Sequence, residues 1–345
     1  MISFECDYNN GAHPEVLRRL METNDEQTGT YGFDDYTRRA QEKIRQACQC
    51  AAADVYLLGG GTQTNSVVID ALLQSFEAVI AADTAHIAVH ESGAVEHCGH
   101  KIITLPDHEG RLDAKELDRW MDAFQNDVSR DHMAQPALVY ISLPTELGTL
   151  YSSTELQELR ETCQKYGLRL FIDGARLGYA LAASGGDLTL PLVASLCDAF
   201  YIGGTKVGAL CGEAVVFPQG APKGFFSLMK QHGAIFAKGR LLGVQFDTLF
   251  TDDLYMHISE HAIRMAKRMR ELFVRKGFRF YIDSPTNQLF VIVPNKEMRR
   301  LDGLVESTHW CPYDDQHYVC RFVSSWATTE ADLQKLAYAL ITPSL

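Results

Sequence analysis

Short apolar runs alternate with longer amphipathic segments through most of the chain. The runs are rich in Val, Ile, Leu and aromatic residues, as is typical of strands buried on both faces of a parallel sheet. The segments between them have helical spacing, and Ser153 is predicted to cap a helix that ends near Gly167. Such alternation predicts βαβ units and an α/β fold. The predicted strands lie at 55–58, 78–81, 101–105, 137–141, 169–172 and 199–202.

The two ends of the chain depart from this rhythm. After an irregular N-terminal segment, helices are predicted at 15–22, with Val16, Leu17 and Leu20 on one face, and at 36–51. Toward the other end, a long helix is predicted at 254–276 and a closing helix from Glu330. Strands predicted at 278–282, 289–293 and 318–325 favour a separate, smaller α+β domain there. The expected division is therefore an N-terminal segment at 1–14, a large domain at 15–248 and a small domain at 249–345.

Composition narrows the class of protein. Hydrophobic residues make up 46% and charged residues 22% of the chain, as in ordinary globular proteins. The net charge of −12, with no basic run to offset it, disfavours nonspecific binding to nucleic acid or to an anionic membrane. No apolar stretch is long enough for a membrane span and no signal-peptide pattern is present, so a cytoplasmic location is expected.

Cysteines and histidines do not predict a metal site. The nine cysteines lack CxxC spacing, which favours reduced thiols in a cytoplasmic protein. His86 and His90 have the i, i+4 spacing of helical metal ligands, but no third ligand is evident nearby. No metal is therefore expected.

The segment Gly203-Gly204-Thr205-Lys206 carries the first candidate chemistry. It follows the predicted strand at 199–202, and its lysine lies among apolar and small residues. Loss of hydration lowers the pKa of a lysine and makes its amine a usable nucleophile, as a Schiff base requires. The same segment is also typical of a surface lysine on a glycine-rich loop.

Three other groups follow predicted strands, each with an ordinary structural alternative. The glycines at 59–61 and the Thr62 hydroxyl could bind a phosphate at a helix N-terminus, or form a simple tight turn. His86 could stack on an aromatic ring or transfer a proton, or be a solvated loop residue. Asp173 could pair with a protonated pyridine nitrogen while Arg176 reaches a phenolate or carboxylate, or the two could form a structural ion pair.

Together these groups match one cofactor. A phosphate cup, a stacking histidine, a buried acid and a Schiff-base lysine are what pyridoxal 5′-phosphate requires. The glycines match neither a P-loop nor the dinucleotide fingerprint, which disfavours a Rossmann dehydrogenase. The sequence also resembles the threonine aldolase and β-eliminating lyase group of the aspartate-aminotransferase superfamily, and is most similar to bacterial low-specificity threonine or phenylserine aldolases. The motifs that carry the resemblance, in order, are Asp83-Thr84-Ala85-His86, Pro144-Thr145-Glu146-Leu147-Gly148-Thr149, Asp173-Gly174-Ala175-Arg176, Gly203-Gly204-Thr205-Lys206 and Arg321-Phe322-Val323-Ser324-Ser325-Trp326.

The resemblance implies a role for each candidate residue. Lys206 would carry the cofactor as an aldimine, His86 would stack on its ring, and Asp173 would pair with the ring nitrogen. Arg321, Arg176 and Asp7 would bind the substrate, with Arg176 also near the ring oxygen. Gly61, Thr62 and Thr205 would bind the phosphate. Cys6-Asp7 stands where many members carry Ser-Asp, and Gly203 to Lys206 replaces the Ser-Leu-Ser-Lys of another branch, so the substrate is less defined than the cofactor.

The implied fold is a mostly parallel seven-stranded sheet sandwiched by helices, the type I fold of pyridoxal enzymes, with a smaller C-terminal domain. The implied reaction is reversible cleavage of a threonine-like β-hydroxy-α-amino acid to glycine and an aldehyde. His86 is the favoured base for the β-hydroxyl proton, with Glu91 and His90 as weaker candidates. The alternatives are β-elimination or another amino-acid transformation on the same cofactor, and a cofactor-binding protein without turnover. A homodimer or homotetramer is expected, with Tyr31 and the loop at 230–240 crossing between subunits.

Overall fold

The computed structural model describes residues 1–341. Its strands fall into a seven-stranded, a four-stranded and a two-stranded sheet. The strands are β1 (Ile2–Ser3), β2 (Asp54–Leu58), β3 (Glu77–Ala82), β4 (Lys101–Leu105), β5 (Gln135–Ser142), β6 (Arg169–Asp173), β7 (Ala199–Gly203), β8 (Glu213–Phe217), β9 (Arg279–Phe280), β10 (Gln288–Pro294), β11 (Val305–Glu306), β12 (Thr308–Asp314) and β13 (His317–Val323).

Helices connect and cover these strands. They are α1 (Pro14–Glu22), α2 (Asp35–Ala47), α3 (Gly61–Leu72), α4 (His86–Val89), α5 (Ala94–His97), α6 (Ala114–Asn126), α7 (Ser153–Tyr166), α8 (Leu177–Ala183), α9 (Leu190–Leu196), α10 (Phe225–Gln231), α11 (Arg240–Leu249), α12 (Leu254–Arg275), α13 (Asn295–Leu301) and α14 (Glu330–Ala339). No helix within residues 1–341 is both long and apolar enough to cross a membrane.

The seven-stranded sheet has the order β2-β8-β7-β6-β5-β3-β4. Strands β3 to β7 pair in parallel, whereas β8 runs antiparallel to both of its neighbours. This confirms the predicted mostly parallel α/β sheet. Strand β8 was not predicted, because it returns directly from β7 and so lies outside the strand-helix alternation. Strands β7 and β8 are buried throughout, as expected where helices cover both faces of a sheet.

Several predicted helix boundaries shift by a few residues. Ser152, not Ser153, caps α7. Its hydroxyl accepts from the Glu155 amide, and the Glu155 carboxylate accepts in turn from the Ser152 amide. Gly167 ends that helix in the left-handed conformation at φ 69°, as predicted. Helix α2, predicted to reach residue 51, stops at Ala47. In α1, Leu17 is 41% exposed, so the buried face of that helix is narrower than predicted.

The four-stranded sheet belongs to the C-terminal part of the chain and has the order β12-β13-β10-β9. Strand β12 was not predicted, because it is an edge strand with Pro312 and two register shifts. The strand predicted at 278–282 is only Arg279–Phe280. A second apolar core lies here, and Phe4 from the N-terminal segment is buried in it. Strand β1 pairs with β11, so the start of the chain is part of this region.

Candidate active site

The loops after β2, β3, β5, β6 and β7 meet at one cavity of about 310 Å³. This is where a parallel sheet places its ligand sites, because the carboxyl ends of its strands lie at one edge. Among the predicted site residues, those that line the cavity are Gly61, Thr62, His86, Asp173, Arg176, Thr205 and Lys206. Asp7 and Arg321 are not in its wall, and their contacts are described below.

Asp173 lies at the floor of the cavity, at the end of β6, and is 4% exposed. Its Oδ2 accepts hydrogen bonds from the Tyr140 hydroxyl at 2.5 Å and the Asn65 amide at 3.0 Å. Its Oδ1 accepts from the Tyr201 hydroxyl and, at 3.0 Å, from the Ala175 backbone amide. Burial alone would raise the pKa of Asp173, but the positive charge of His86 and the tyrosine hydroxyls outweigh it and lower that pKa. The carboxylate is therefore held in its charged form.

Lys206 faces the same cavity from the loop after β7. It is partly accessible through the cavity, but protein surrounds its amine, and the Tyr8 ring lies with its centroid 5.7 Å from Nζ. Burial, and then the positive charge of Arg176, lower the pKa of Lys206. The amine is therefore easier to deprotonate than an ordinary lysine, as a nucleophile requires.

Two glycines, one in the loop before Lys206 and one in the loop after Asp173, let the two loops approach each other closely. A Cβ on Gly203 would lie 2.2 Å from the Ala175 carbonyl oxygen, and one on Gly174 would lie 1.9 Å from the Tyr201 oxygen. Both contacts are backbone to backbone and cannot relax cheaply. The backbones of the turns after β6 and β7 are therefore in direct contact. This contact fixes the position of Asp173 relative to Lys206.

The glycine run after β2 enters helix α3. Gly60 is the N-cap, and no side chain in the described part of the chain caps this helix. The first amides of a helix have no partners within it, and the helix dipole favours an anion at that end. Gly61 and Thr62 thus present free donors at one end of the cavity.

Thr205 makes contacts that the sequence pattern did not predict. Its hydroxyl donates to Glu213 Oε1 at 2.8 Å and accepts from the Gly212 amide at 3.0 Å. Glu213 lies at the start of β8, is 3% exposed, and also accepts from the Gly204 amide at 3.2 Å. Burial raises the pKa of Glu213 to about 8. The Thr205 proton is therefore directed at a protein carboxyl group.

His86 begins the short helix α4, with its ring at the cavity. Its Nδ1 lies 2.7 Å from Glu91 Oε1, and its backbone amide donates to Glu146 Oε1 at 2.8 Å. Burial alone would lower the pKa of His86, but the hydrogen bond to Glu91 and the charge of Asp173 raise it overall. Glu91 also lines the cavity, but it is only 4% exposed and its carboxylate contacts His86.

Asp7 forms a buried ion pair with Arg176. The guanidinium Nε lies 2.7 Å and its second nitrogen 3.0 Å from the two carboxylate oxygens, and Asn287 donates to the same carboxylate at 2.9 Å. Burial would raise the pKa of Asp7, but the charges of Arg176 and Lys206 lower it. The N-terminal segment therefore orients Arg176 at the cavity.

Arg321, on β13, is less completely satisfied. Its nitrogens donate to Thr308 Oγ1 at 3.1 Å, Gln288 Oε1 at 3.3 Å and the Glu5 carbonyl at 3.4 Å, and the guanidinium lies 5.2 Å from the Trp310 ring centroid. Its Nε is buried and has no partner among the described residues. Burial and the nearby charge of Arg176 lower the pKa of Arg321. The described residues therefore leave the Arg321 guanidinium only partly hydrogen-bonded.

Residues that the sequence pattern missed complete the site. Tyr140 and Tyr201 lie inside strands, and Asn65 lies inside a helix, where nothing in the local pattern distinguishes them from core residues. Glu146 was noted only as part of a motif, and Glu213 belongs to a strand that was not predicted. The one available signal was weak: each of these residues carries a polar group within an otherwise apolar buried segment.

The chain matches a family and named relatives. The sequence model described as beta-eliminating lyase matches residues 7–283. The low specificity L-threonine aldolase of Pseudomonas aeruginosa is 32% identical over 272 residues, which cover 78% of this chain and 77% of that protein. A low specificity L-threonine aldolase from another Pseudomonas is 28% identical over 342 residues, covering 97% and 95%. The solved threonine aldolase of Leishmania major is 37% identical with a TM-score of 0.93, covering 99% of this chain and 98% of that one.

Proposed function

Since the chain belongs to the beta-eliminating lyase family, as its motifs predicted, we propose that it is a pyridoxal 5′-phosphate-dependent carbon-carbon lyase. Its substrates are threonine-like β-hydroxy-α-amino acids, which it cleaves to glycine and an aldehyde. The relatives named threonine aldolases, which match most of the chain, support this choice of reaction. The observation that carries it is the pairing of Asp173 and Lys206 at one cavity, the first held ionised and the second made easier to deprotonate.

The cavity fits the proposed cofactor at three points. The uncapped N-terminus of α3 suits a phosphate, the Asp173 carboxylate suits a protonated ring nitrogen, and Lys206 supplies the amine for covalent attachment. A carboxylate has about four lone-pair positions, and protein donors use four of them on Asp173. A ring nitrogen needs one of these positions, and the Tyr140 and Tyr201 hydroxyls can release one because they rotate.

Phosphate binding rests mainly on Gly61 and Thr62. Thr205 donates its proton to Glu213 in this structure, so it supports the loop of Lys206 more directly than the phosphate. A protonated Glu213, whose pKa is raised by burial to about 8, does not repel a phosphate as a carboxylate would. The cup therefore tolerates an acidic residue at its edge.

When bound, the cofactor acts as an electron sink for the bond that breaks at Cα. Arg321 and Arg176 would bind the substrate carboxylate and so fix the orientation of the Cα–Cβ bond for cleavage. Arg176 is held for this task by Asp7. His86 accepts the β-hydroxyl proton, directly or through a water. Unchanged acetaldehyde release in His86→Phe would remove His86 from this role and leave the other assignments intact.

One alternative has a specific observation in its favour. The matched family model is described as beta-eliminating lyase, so elimination of a β-substituent is the second candidate. A product assay separates the two reactions. The protein reconstituted with pyridoxal 5′-phosphate is expected to release glycine from threonine, allo-threonine or phenylserine; pyruvate and ammonia from serine, with no glycine from threonine, would favour elimination.

Covalent attachment is tested separately. Borohydride reduction is expected to fix the cofactor on the peptide that contains Lys206, and Lys206→Ala is expected to abolish both this label and turnover. A labelled protein with no turnover across the amino acids tested would instead indicate a cofactor-binding protein without catalysis.

We also propose a cytoplasmic homodimer or homotetramer. Cytoplasmic location is supported by the nine cysteines, which are all free. Assembly is supported by an exposed apolar surface that includes Tyr31, Phe33 and Phe226, beside the loop at 230–240. Full activity of a monomer at low concentration would contradict the proposed assembly. The functional division that we propose is an N-terminal segment at 1–14, which supplies Asp7, a large domain at 15–248 and a small domain at 249–345, which supplies Arg321.

A further inference from the structure

Two buried polar side chains, Asn65 and Glu91, connect Asp173 to His86 through hydrogen bonds. Asn65, on α3, is fully buried, and its amide nitrogen donates to Glu91 Oε1 at 2.7 Å and to Asp173 Oδ2 at 3.0 Å. Glu91 Oε1 also lies 2.7 Å from His86 Nδ1. One neutral amide thus bridges two carboxylates, and one of those carboxylates holds the imidazole.

This arrangement determines which ring nitrogen of His86 carries a proton. A carboxylate only accepts hydrogen bonds, so the contact to Glu91 Oε1 requires the proton on Nδ1. In the neutral ring, Nε2 is then left with a free lone pair. In a ring that acts as a base toward the cavity, Nε2 has to be the acceptor.

Glu91 belongs to the lining of the cavity, but the protein holds its carboxylate in place. Its side chain is fully buried, and its second oxygen, Oε2, has no hydrogen-bond partner among residues 1–341. A buried carboxylate oxygen without a partner is costly, so its retention indicates a task for the other oxygen. Both contacts of that other oxygen lead to Asn65 and His86.

We propose that Glu91 is a positioning residue that fixes His86 in the Nδ1–H tautomer, with Asn65 holding Glu91 in place beside Asp173. This inference rests on the proposed function, because it assigns Glu91 a task in the step in which His86 accepts the β-hydroxyl proton. It gives separate roles to the favoured base and to one of its two weaker alternatives: His86 contacts the reacting group, and Glu91 acts through His86.

The charge of Glu91 has a second effect that can be measured. The pKa of His86 is lowered by burial and raised, overall, by the hydrogen bond to Glu91 and by the charge of Asp173. A base works in its neutral form, so activity should rise with pH through that raised pKa. The other charged or titratable groups that act on His86 are Glu146, Lys206 and His90.

Two substitutions separate charge from orientation. Glu91→Gln keeps an acceptor oxygen for His86 but removes the charge, so the acid limb of the kcat/KM profile should move to lower pH while kcat at its optimum changes little. Glu91→Ala removes both, and kcat should fall by about 10- to 100-fold, less than the 10²–10⁴-fold that loss of a positioned base typically costs. KM should stay nearly unchanged in both, because Glu91 does not contact the substrate.

Thr64→Val is the matched control. Thr64 precedes Asn65 on the same helix, is fully buried, and its hydroxyl has no partner among the described residues. The substitution is nearly isosteric and leaves the contacts of Glu91 intact. It should leave the acid limb and kcat unchanged, which separates the proposed link from general sensitivity of α3 to substitution.

A spectroscopic readout does not depend on turnover. In protein labelled with ¹⁵N-histidine, the two ring nitrogens of His86, assigned by comparison with His86→Gln, should give the Nδ1–H pattern at high pH. Glu91→Ala should lose that preference, and Thr64→Val should keep it. An Nε2–H pattern in the wild type, or an unchanged pattern and acid limb in both Glu91 variants, would overturn the proposal. Failure of the wild type to cleave threonine would instead overturn the proposed function, since the tautomer is read without substrate.

Discussion

Asp173, at the floor of the cavity, and Arg321, on β13, differ in how completely the protein satisfies their hydrogen bonds. Asp173 is surrounded by four donors at 3.0 Å or less, from a helix, two strands and a turn. Arg321 makes three bonds of 3.1 to 3.4 Å, and its buried Nε has no partner in the described chain. Protein donors thus satisfy Asp173 completely, whereas the described residues leave Arg321 partly unsatisfied.

This difference suggests a division of labour. A carboxylate with four hydrogen bonds keeps its charge and position even when one tyrosine hydroxyl turns away to admit a ring nitrogen, as a permanent cofactor requires. Under the proposed function, a substrate carboxylate would add bonds to the partly satisfied guanidinium, so Arg321 would contribute to substrate binding. Changes at the floor should therefore affect the chemical step, and changes at Arg321 should affect substrate affinity.

The largest expected effect comes from the floor. Asp173→Asn keeps the shape but removes the negative charge that would keep a ring nitrogen protonated, so kcat should fall by about 10²–10³-fold, as for loss of one preorganised electrostatic group. Steady-state kinetics with threonine and the absorbance spectrum of the bound cofactor measure this. An unchanged kcat would mean that the floor is structural and would break the comparison.

A smaller effect of a different kind is expected at the arginine. Arg321→Lys replaces a planar fork by a point charge, so the bidentate contact with a carboxylate is lost and KM should rise by about 10- to 100-fold. Because the floor is untouched, kcat and the cofactor spectrum should change little. A drop in kcat at constant KM would show that Arg321 acts on the reaction itself.

Glu213, which hydrogen-bonds the loop that carries Lys206, should make the stability of the protein depend on pH. Burial raises the pKa of Glu213 to about 8 in the folded chain, above the value of about 4.3 for an unperturbed glutamate. The unfolded chain therefore releases this proton at lower pH, so the stabilising contribution is complete below about pH 4.3 and is lost as pH rises toward 8.

Glu213→Gln cannot titrate, so its free energy of unfolding should change less between pH 5 and pH 8.5 than that of the wild type. Urea unfolding of the cofactor-free protein at both pH values measures the difference. Identical slopes with pH in the two proteins would mean that Glu213 does not carry the proton in the folded state.

The smallest effect is expected at Trp310, whose ring lies beside the Arg321 guanidinium. Trp310→Leu removes a cation–π contact of about 0.5–1 kcal/mol, so KM should rise by about two- to five-fold. Trp120→Leu is the control, because the Trp120 ring stacks on Phe124 of helix α6 and lines no part of the cavity. Equal effects of the two substitutions would remove Trp310 from the positioning of Arg321.

Local pattern was enough to predict where the cavity forms. Asp173, His86 and Lys206 each follow an apolar strand, and parallel strands end at one edge of their sheet, so the three residues had to meet. Their hydrogen-bond partners could not be predicted in this way. Tyr140, Asn65 and Glu213 lie within strands and a helix, and which side chains they contact depends on the register between elements that are distant in sequence.

The same limit explains the strands that were missed. Strand β8 is as buried as β7 but follows it without a helix, so it lies outside the strand-helix alternation. Strand β12 is an irregular edge strand with a proline, so it lacks the uninterrupted apolar pattern of the predicted strands. The missed strand also bears on Thr205, whose role as a phosphate donor stays a prediction. Its hydroxyl proton goes to Glu213, a residue of the strand that was not predicted.

The placement of Asp7 has a consequence for how the protein matures during synthesis. Asp7 precedes its partners in the chain by 169 and 280 residues, yet its carboxylate is fixed by Arg176 and by Asn287. The adjoining backbone of Phe4 pairs with Glu306 and Val323, which emerge much later. The segment around Phe4 and Asp7 can therefore reach its final position only after Val323 has been synthesised. Contacts so far apart in sequence are slow to form, so competence for catalysis should be among the last properties that a newly made chain acquires.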